Sequence, residues 1–327
     1  MLASRRCPCG PTLSVDRGAT RVSYRIRQSF RYAYPGPIAH LRHRLIVAPP
    51  LTYGDQHCLS HTLDVTPDAD VRWSEDAFGN RIATVEAARV DSAVAFAYEA
   101  LVERVAGRAS NVGLATLGDA RYREPSALTF PSSALRDAAA RLSASGDRGL
   151  ALADRINAFV ADHMRYVPGA TSILTTAPEA FAQAAGVCQD YAHVMLALAR
   201  ACGFAARYVS GHLIGEGGTH AWVEIFDAGG DPASGVVWAF DPTHRRRTTM
   251  EYIFVASGSD YIDVAPTSGT FVAPYIGEFT SDRSVERVPL DDAAPDVKKP
   301  TYVGFSWGDR RGSNPRPPES QSSALTN

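Results

Sequence analysis

The segment CQDYAHVMLALARACG, residues 188–203, constrains this chain more than any other stretch. Tyr191, Val194, Met195, Leu198 and Cys202 recur at the three-to-four spacing of one helix face. Ala192, Leu196, Ala197 and Ala201 make much of the remaining circumference apolar as well. A helix with so little polar surface must be enclosed by other elements. Gly203 supplies its C-terminal stop. Three strand-like segments follow, at Ala205–Leu213, His220–Phe226 and Val236–Thr243, with the turn-rich DAGGDPASG joining the last two as a hairpin. The expectation is an α+β core in which this helix packs on an antiparallel sheet.

Upstream, Leu152, Ile156, Phe159, Val160 and Met164 share one face of a predicted helix over Leu150–Tyr166, with Asp147 placed to cap it and Pro168-Gly169 to end it. A shorter helix is predicted over Ala177–Gln183. Residues 21–106 read differently. Tyr24, Ile26, Gln28, Phe30 and Tyr32 alternate with Arg25, Arg27, Ser29 and Arg31, mostly apolar against polar at period two. Further strands are predicted at His43–Ala48, His57–Thr66, Arg81–Val85 and Ala93–Val102, separated by Pro- and Gly-containing turns. Such spacing predicts an antiparallel β-sandwich. Residues 1–20 read as a disordered leader and 107–148 as a linker with short helices, Ser133–Leu142 foremost. Residues 149–280 read as the core that bears the chemistry, and 281–327 as an extended or disordered tail.

Lys+Arg number 33 against Asp+Glu 35, a net charge of −2, so no cationic field points to nucleic acid or an acidic membrane surface. No apolar run approaches the roughly 20 residues of a membrane helix, and the N-terminus lacks the apolar stretch of a secretory signal. Cytoplasmic residence is the expectation. The five cysteines, Cys7, Cys9, Cys58, Cys188 and Cys202, are odd in number and scattered, unlike a disulfide framework. Cys58 and Cys202 read as small apolar fillers.

Cys188 differs from them by position. It stands where a loop becomes the central helix, beside the first turn's N–H groups and the positive end of the helix dipole. Both favour a thiolate, the nucleophilic form of cysteine, and the same N–H groups suit an oxyanion. A thiol nucleophile needs a base, and the base an orienting acceptor. His220 opens one strand of the hairpin and Asp241 lies near the end of the other. If Asp227 pairs with Val236, His220 falls opposite Thr243, and Asp241 shares its face. Trp222 and Phe226, of the same parity as His220, would then pack on the Cys188 helix.

Other residues have plainer readings. Asp190 suits a helix first turn. His193 lies about 140° around the helix from Cys188 and reads as a structural histidine. His212 and His244 flank the site in sequence, where substrate contact is one reading and structural or surface placement the expectation. Arg245, Arg246 and Arg247 read as a solvated loop, Tyr166 and Trp238 as core aromatics, and Gln183 as an oxyanion donor only if its helix aims it inward. Gly215-Glu216-Gly217-Gly218 reads as a loop shaping the cleft before His220. A zinc site from Cys188, His193 or His220, and Cys202 would need ligands from opposite helix faces.

GVCQDYAHVMLALARACGFAARYVSGHL, THAWVEIF and WAFDPTH, in this order, closely resemble the transglutaminase-like superfamily, in particular its bacterial, cysteine-protease-like branch. YRIRQSFRYAYPGPI and DAFGNRIATVEA resemble the β-rich region that precedes the core in bacterial members. The resemblance spans about residues 24–280. It implies a papain-like α+β core with Cys188, His220 and Asp241 as catalytic residues. It also implies acyl transfer through a cysteine thioester on a peptide or protein substrate, with no cofactor. No calcium-binding acidic loop is visible, and no metal is expected. Hydrolysis is favoured over transfer to an amine. The alternative from another class is a non-catalytic peptide-binding module that keeps the fold.

Overall fold

The computed structural model describes residues 20–107, 111–227 and 234–289. The segment Cys188–Ala201 is helical, and every residue from Gln189 to Arg200 is buried. Val194, Met195, Leu196 and Leu198 are fully enclosed. Each such side chain contributes about 1.5–3 kcal/mol relative to exposure. Packing thus outweighs intrinsic helix propensity in holding this element. Its one long cation, Arg200, donates from its two terminal nitrogens to Thr129 Oγ1 and to the carbonyls of Ala206 and Ser259.

Helices Ser133–Ser143, Gly149–His163 and Ala177–Gln183 pack around this central helix. On its other side lies an antiparallel sheet with the order Arg246–Arg247, Ser234–Asp241, His220–Asp227, Ala205–Leu213, Tyr252–Gly258, and Asn111–Gly113 also pairs with Ser234–Asp241. The hairpin has the expected register, Asp227 opposite Val236. Its faces are used the other way round from the expectation. Ala221, Val223 and Ile225 join the core under the helix, whereas Trp222 packs with Val209, Leu213, Tyr252 and Phe254, and Phe226 with Leu117, Tyr122 and Ala205. The small and branched side chains fit beneath the close-packed helix, and the large aromatics fill the opposite face.

The β-rich region forms two antiparallel sheets. One has the order Glu278–Val288, Arg21–Ala33, Ala93–Val105, Gln56–Thr66, Thr52–Tyr53. The other has the order Thr267–Val272, Ile38–Ala48, Arg81–Val90, Asp70–Glu75. Two of the predicted boundaries therefore shift. The sequence reading placed 149–280 in the core and 281 onward in a tail, but Thr267–Val272 and Glu278–Val288 return to complete the sandwich. Glu278–Val288 pairs with Arg21–Ala33 along its whole length, from Ala33–Glu278 to Ser23–Val288. Its short apolar alternation is intelligible only beside that partner. The predicted linker is also part of the core: Leu135, Ala138, Ala139 and Leu142 are buried against the central helix. The predicted leader up to residue 19 and the tail beyond residue 289 lie outside the described residues.

The strand Tyr252–Gly258 would expose a sheet edge. Instead, side-chain amides from the sandwich satisfy it. Gln56 bonds both backbone groups of Phe254 at 2.8 Å, and Asn80 bonds those of Ser257 at 2.7 and 2.8 Å. The sandwich thereby fixes the strand that carries Tyr252, which reaches the site described next. Among the described residues, no helix is long and apolar enough to cross a membrane.

Candidate active site

The loop that delivers Cys188 is held by its own first helical turn. The Asp190 carboxylate turns back to accept from Val187 N–H at 2.8 Å and from the Thr171 hydroxyl at 2.6 Å. Burial pushes the Asp190 carboxyl up, against the pull of those two donors. Asp190 crowds Gly186 so closely that a Cβ there would lie 2.5 Å from its Oδ2, so only glycine fits. Asp190 is thus a structural cap, as the sequence suggests. Gln189 Nε2 donates to Ile173 O at 3.0 Å and ties a second loop to the same turn. Cys188 is left half-buried at the helix start, in a small cleft with Ile173, Val187, Tyr208, His220, Ala221 and Tyr261.

His220 opens its strand and is 2% exposed. Its Nε2 donates to Asp241 Oδ2 at 2.8 Å, which leaves Nδ1 for the Cys188 side chain that the ring meets. Glu216 Oε2 also stands 3.1 Å from Nδ1, at ion-pair distance but without the alignment of a hydrogen bond. Asp241 is fully buried. Its Oδ2 further accepts from His244 Nδ1 at 2.7 Å and from the Tyr252 hydroxyl at 2.6 Å, while its Oδ1 accepts from the backbone N–H groups of Thr243 and His244. His244 Nε2 lies 2.9 Å from Glu216 Oε1. Two carboxylates and two imidazoles therefore close a ring: Glu216, His220, Asp241, His244 and back to Glu216. Arg246 completes the outer layer by donating from Nε to the Tyr252 oxygen at 2.8 Å.

The electrostatics follow from this ring. Burial alone would lower the His220 pKa, but its contacts with Asp241, Cys188 and Glu216 outweigh burial and hold the imidazole well above its ordinary value. Burial would raise the Asp241 carboxyl, and His220, Tyr252 and His244 together hold it well below the usual carboxylate range. The His220 imidazole also pulls the Glu216 carboxyl down. The arrangement is a protonated imidazole between two carboxylates, with the Cys188 side chain beside the ring. Chemically, it can give up and regain a proton at Nδ1 while Nε2 is anchored.

Two family models match the chain: the transglutaminase-like superfamily core over residues 136–240 and the bacterial transglutaminase-like N-terminal region over residues 24–103. The chain belongs to the transglutaminase-like superfamily. An uncharacterized protein of Mycobacterium leprae is 39% identical over 116 residues, 32% of this chain and 39% of that protein. An uncharacterized protein of Mycobacterium tuberculosis is 36% identical over 142 residues, 39% of this chain and 44% of that protein. The chain thus matches about two fifths of the length of these relatives. The solved structure of a candidate cysteine protease from Cytophaga hutchinsonii superposes with a TM-score of 0.67 at 22% identity, covering 90% of this chain and 96% of that one. That likeness concerns the fold, and it extends through sandwich and core alike.

Within this transglutaminase-like core, the three residues singled out in the sequence, Cys188, His220 and Asp241, come together at one site. His193 does not join them: it is fully buried, its ring tilted against that of Tyr208 at 5.2 Å between centroids, and its Nε2 accepts from Tyr261 N–H at 3.2 Å. Burial lowers its pKa to about 4, so it is a neutral structural acceptor. His212 is buried against Gln28 of the sandwich. Gln183 is exposed at the end of its helix. Trp238 is partly buried against the core, but Tyr166, expected in the core, is 51% exposed. Arg245 and Arg247 pair with Asp162 and Asp154 on the surface. Asp147 pairs with Arg155 instead of capping its helix, whose start has no side-chain cap.

Of the other residues at the site, the sequence placed Glu216 only in a loop shaping the cleft and His244 only beside the site, and it did not point to Tyr252. His244 carried one usable signal, since a turn starting at Asp241 brings a side chain three residues on back to it. Tyr252 carried none, because it arrives from a strand three places away from that of Asp241 in the sheet.

His220, Asp241 and His244 also bring ligand atoms within 4.8 Å of one another, the spacing a metal ion would require. The nitrogens that face Asp241 are occupied by hydrogen bonds to it, and Asp241 also accepts from Tyr252. This donor set satisfies itself through protons.

Proposed function

We propose that this protein catalyses thiol-dependent acyl transfer through a Cys188 thioester, acting as a hydrolase of peptide or amide bonds. The observation that carries the reading is the Cys188 side chain at a helix start, meeting an imidazole whose far nitrogen is fixed on buried Asp241. The protonated His220 ring already holds the proton that the Cys188 thiol gives up, and in the first step the thiolate sulfur attacks the carbonyl carbon of the substrate. The oxyanion is stabilised by N–H groups of the first turn of the helix. The tetrahedral intermediate collapses with cleavage of the C–N bond, and Nδ1–H protonates the departing amine. Water then gives a proton to Nδ1 and attacks the thioester. The C–S bond breaks, the carboxylic acid leaves, and the thiolate and the protonated imidazole are restored. An amine in place of water would yield a new amide by the same steps. Asp241 orients the ring and balances its charge throughout.

A cysteine-directed electrophile with adduct mapping by mass spectrometry tests this reading. Cys188 is expected to react first. Labelling of Cys58 or Cys202 while Cys188 stays unmodified would defeat the assignment. Turnover of amide substrates with and without an added amine then separates hydrolysis from transfer.

A further inference from the structure

The nitrogen that protonates the departing amine, His220 Nδ1, has a carboxylate beside it. Glu216 Oε2 lies 3.1 Å away, and the Glu216 side chain is 39% exposed, whereas those of His220 and Asp241 are enclosed. Asp241 has both oxygens occupied by His220, His244, Tyr252 and two backbone N–H groups. Glu216 keeps capacity to accept: its Oε1 faces His244 Nε2 at 2.9 Å, its Oε2 meets Nδ1 without the alignment of a hydrogen bond, and a carboxylate offers about four lone-pair sites. The loop that carries it faces open space, since a Cβ built on Gly215, Gly217 or Gly218 would meet nothing within 4 Å. Tyr166 stands on the same side. Its residue is 51% exposed, and its phenol lies within electrostatic reach of Cys188, Glu216 and His220. The cations that follow His244 in the chain are directed elsewhere: Arg245 to Asp162, Arg246 to the Tyr252 oxygen and Arg247 to Asp154. With His220 charged and His244 neutral, the two carboxylates and two imidazoles together carry a net negative charge.

We propose that Glu216 is a specificity-determining residue for the amine half of the substrate, and that it selects a peptide whose first residue after the scissile bond carries a cationic side chain, arginine above all. The proposal rests on the acyl-transfer reading. Proton delivery places the departing nitrogen about 3 Å from Nδ1. A carboxylate 3.1 Å from that same Nδ1 is therefore its neighbour. The side chain of the residue that supplies this nitrogen starts within reach of Glu216. A guanidinium suits the place in two ways: its planar fork donates to a carboxylate, and its face stacks on an aromatic ring such as that of Tyr166. An anionic side chain would meet Glu216 with like charge. A neutral one would leave the exposed carboxylate to water, so it falls between the two.

Transfer of an acyl group from Cys188 to an amine is the reverse of amide cleavage, so it reads the same contacts on the amine half. The protein is acetylated with p-nitrophenyl acetate, which has no amine half to place, and acid-quenched samples are mapped by mass spectrometry for acetyl-Cys188. Formation of the N-acetyl product is then measured with arginine amide, norleucine amide and the α-amide of glutamate, three α-amines that differ in side-chain charge. Transfer to arginine amide is expected to be about tenfold faster than to the glutamate α-amide, with norleucine amide between them. Glu216→Gln is expected to bring the arginine-to-glutamate ratio within about twofold, and Glu216→Asp to retain the preference. A residue that only held its loop would lower all three rates together and leave the ratio unchanged. Equal transfer to the three amines, no transfer to any of them from verified acetyl-Cys188, or an unchanged ratio in Glu216→Gln would each overturn the assignment and leave the thioester standing. Absence of acetyl-Cys188, with Cys188→Ala releasing nitrophenol as fast as the unmodified protein, would remove the acyl-transfer reading itself.

Discussion

Asp241 and His244 are joined twice across one tight turn: the His244 ring Nδ1 donates to Asp241 Oδ2 at 2.7 Å, and the His244 backbone N–H donates to Oδ1 at 3.3 Å. The turn thereby presents the carboxylate with a second imidazole, placed as a counterpart to His220. His244→Ala removes that donor and Glu216's second partner while leaving the His220–Asp241 bond intact. Turnover is expected to fall by about tenfold, within the 10–100-fold range typical of groups that orient a primary ligand. Steady-state kinetics on the amide substrate of the protein check it, and loss comparable to that of Cys188→Ala would show that His244 does more than orient.

The stability that the His220–Asp241 pair adds has a defined pH window. His220 is raised above its ordinary 6.5, so its contribution is complete below that pH and is lost as pH rises through the folded value. Asp241 is depressed below its ordinary 3.8, so its contribution is present above that pH and is lost as pH falls through the folded value. The difference in melting temperature between the unmodified protein and Asp241→Asn is therefore expected to be largest from about pH 4 to 6.5 and to shrink on both sides. Thermal melts across pH check this. A difference that grows steadily toward alkaline pH would contradict it.

Tyr252→Phe deletes the hydroxyl that donates to Asp241 at 2.6 Å and accepts from Arg246. The buried carboxylate keeps its other donors, so a loss of about 1–3 kcal/mol in stability is expected. The Asp241 pKa is also expected to rise. Urea denaturation gives the first quantity, and the acid limb of the stability profile gives the second.

Gly186→Ala places a methyl group 2.5 Å from Asp190 Oδ2 and 2.6 Å from its Cβ. Asp190 cannot yield without releasing Val187 N–H and the Thr171 hydroxyl. Overpacking of this kind costs about 1–3 kcal/mol, and here it displaces the turn that carries Cys188. Chemical denaturation is expected to show the loss, together with slower alkylation of Cys188. Gly79→Ala, which meets nothing within 4 Å but has a φ of +80°, serves as a comparison remote from the thiol.

How much of this was legible in the chain differs from element to element. The central helix, the strands Ala205–Leu213 and His220–Asp227 and the hairpin register were readable, because each is written in local periodicity. The placement of Trp222 was not. Parity sorts a strand's side chains into two faces but does not say which face the helix covers, and packing volume decided that Ala221, Val223 and Ile225 lie beneath it. Glu278–Val288 is mostly exposed, with apolar residues too sparse to stand out. Only its pairing with Arg21–Ala33, more than two hundred residues away in the chain, makes it a strand.

The site divides along the same line. The sequence by itself determined Cys188 at a helix start and His220 and Asp241 on one face of a hairpin, since helix caps and strand parity are short-range properties of the chain. Tertiary structure alone decided that Glu216 and His244 would close a ring around that pair and that Tyr252 would reach Asp241. These residues come from separate loops and strands, and their meeting depends on how the sheet, the central helix and the sandwich pack, which no local pattern records.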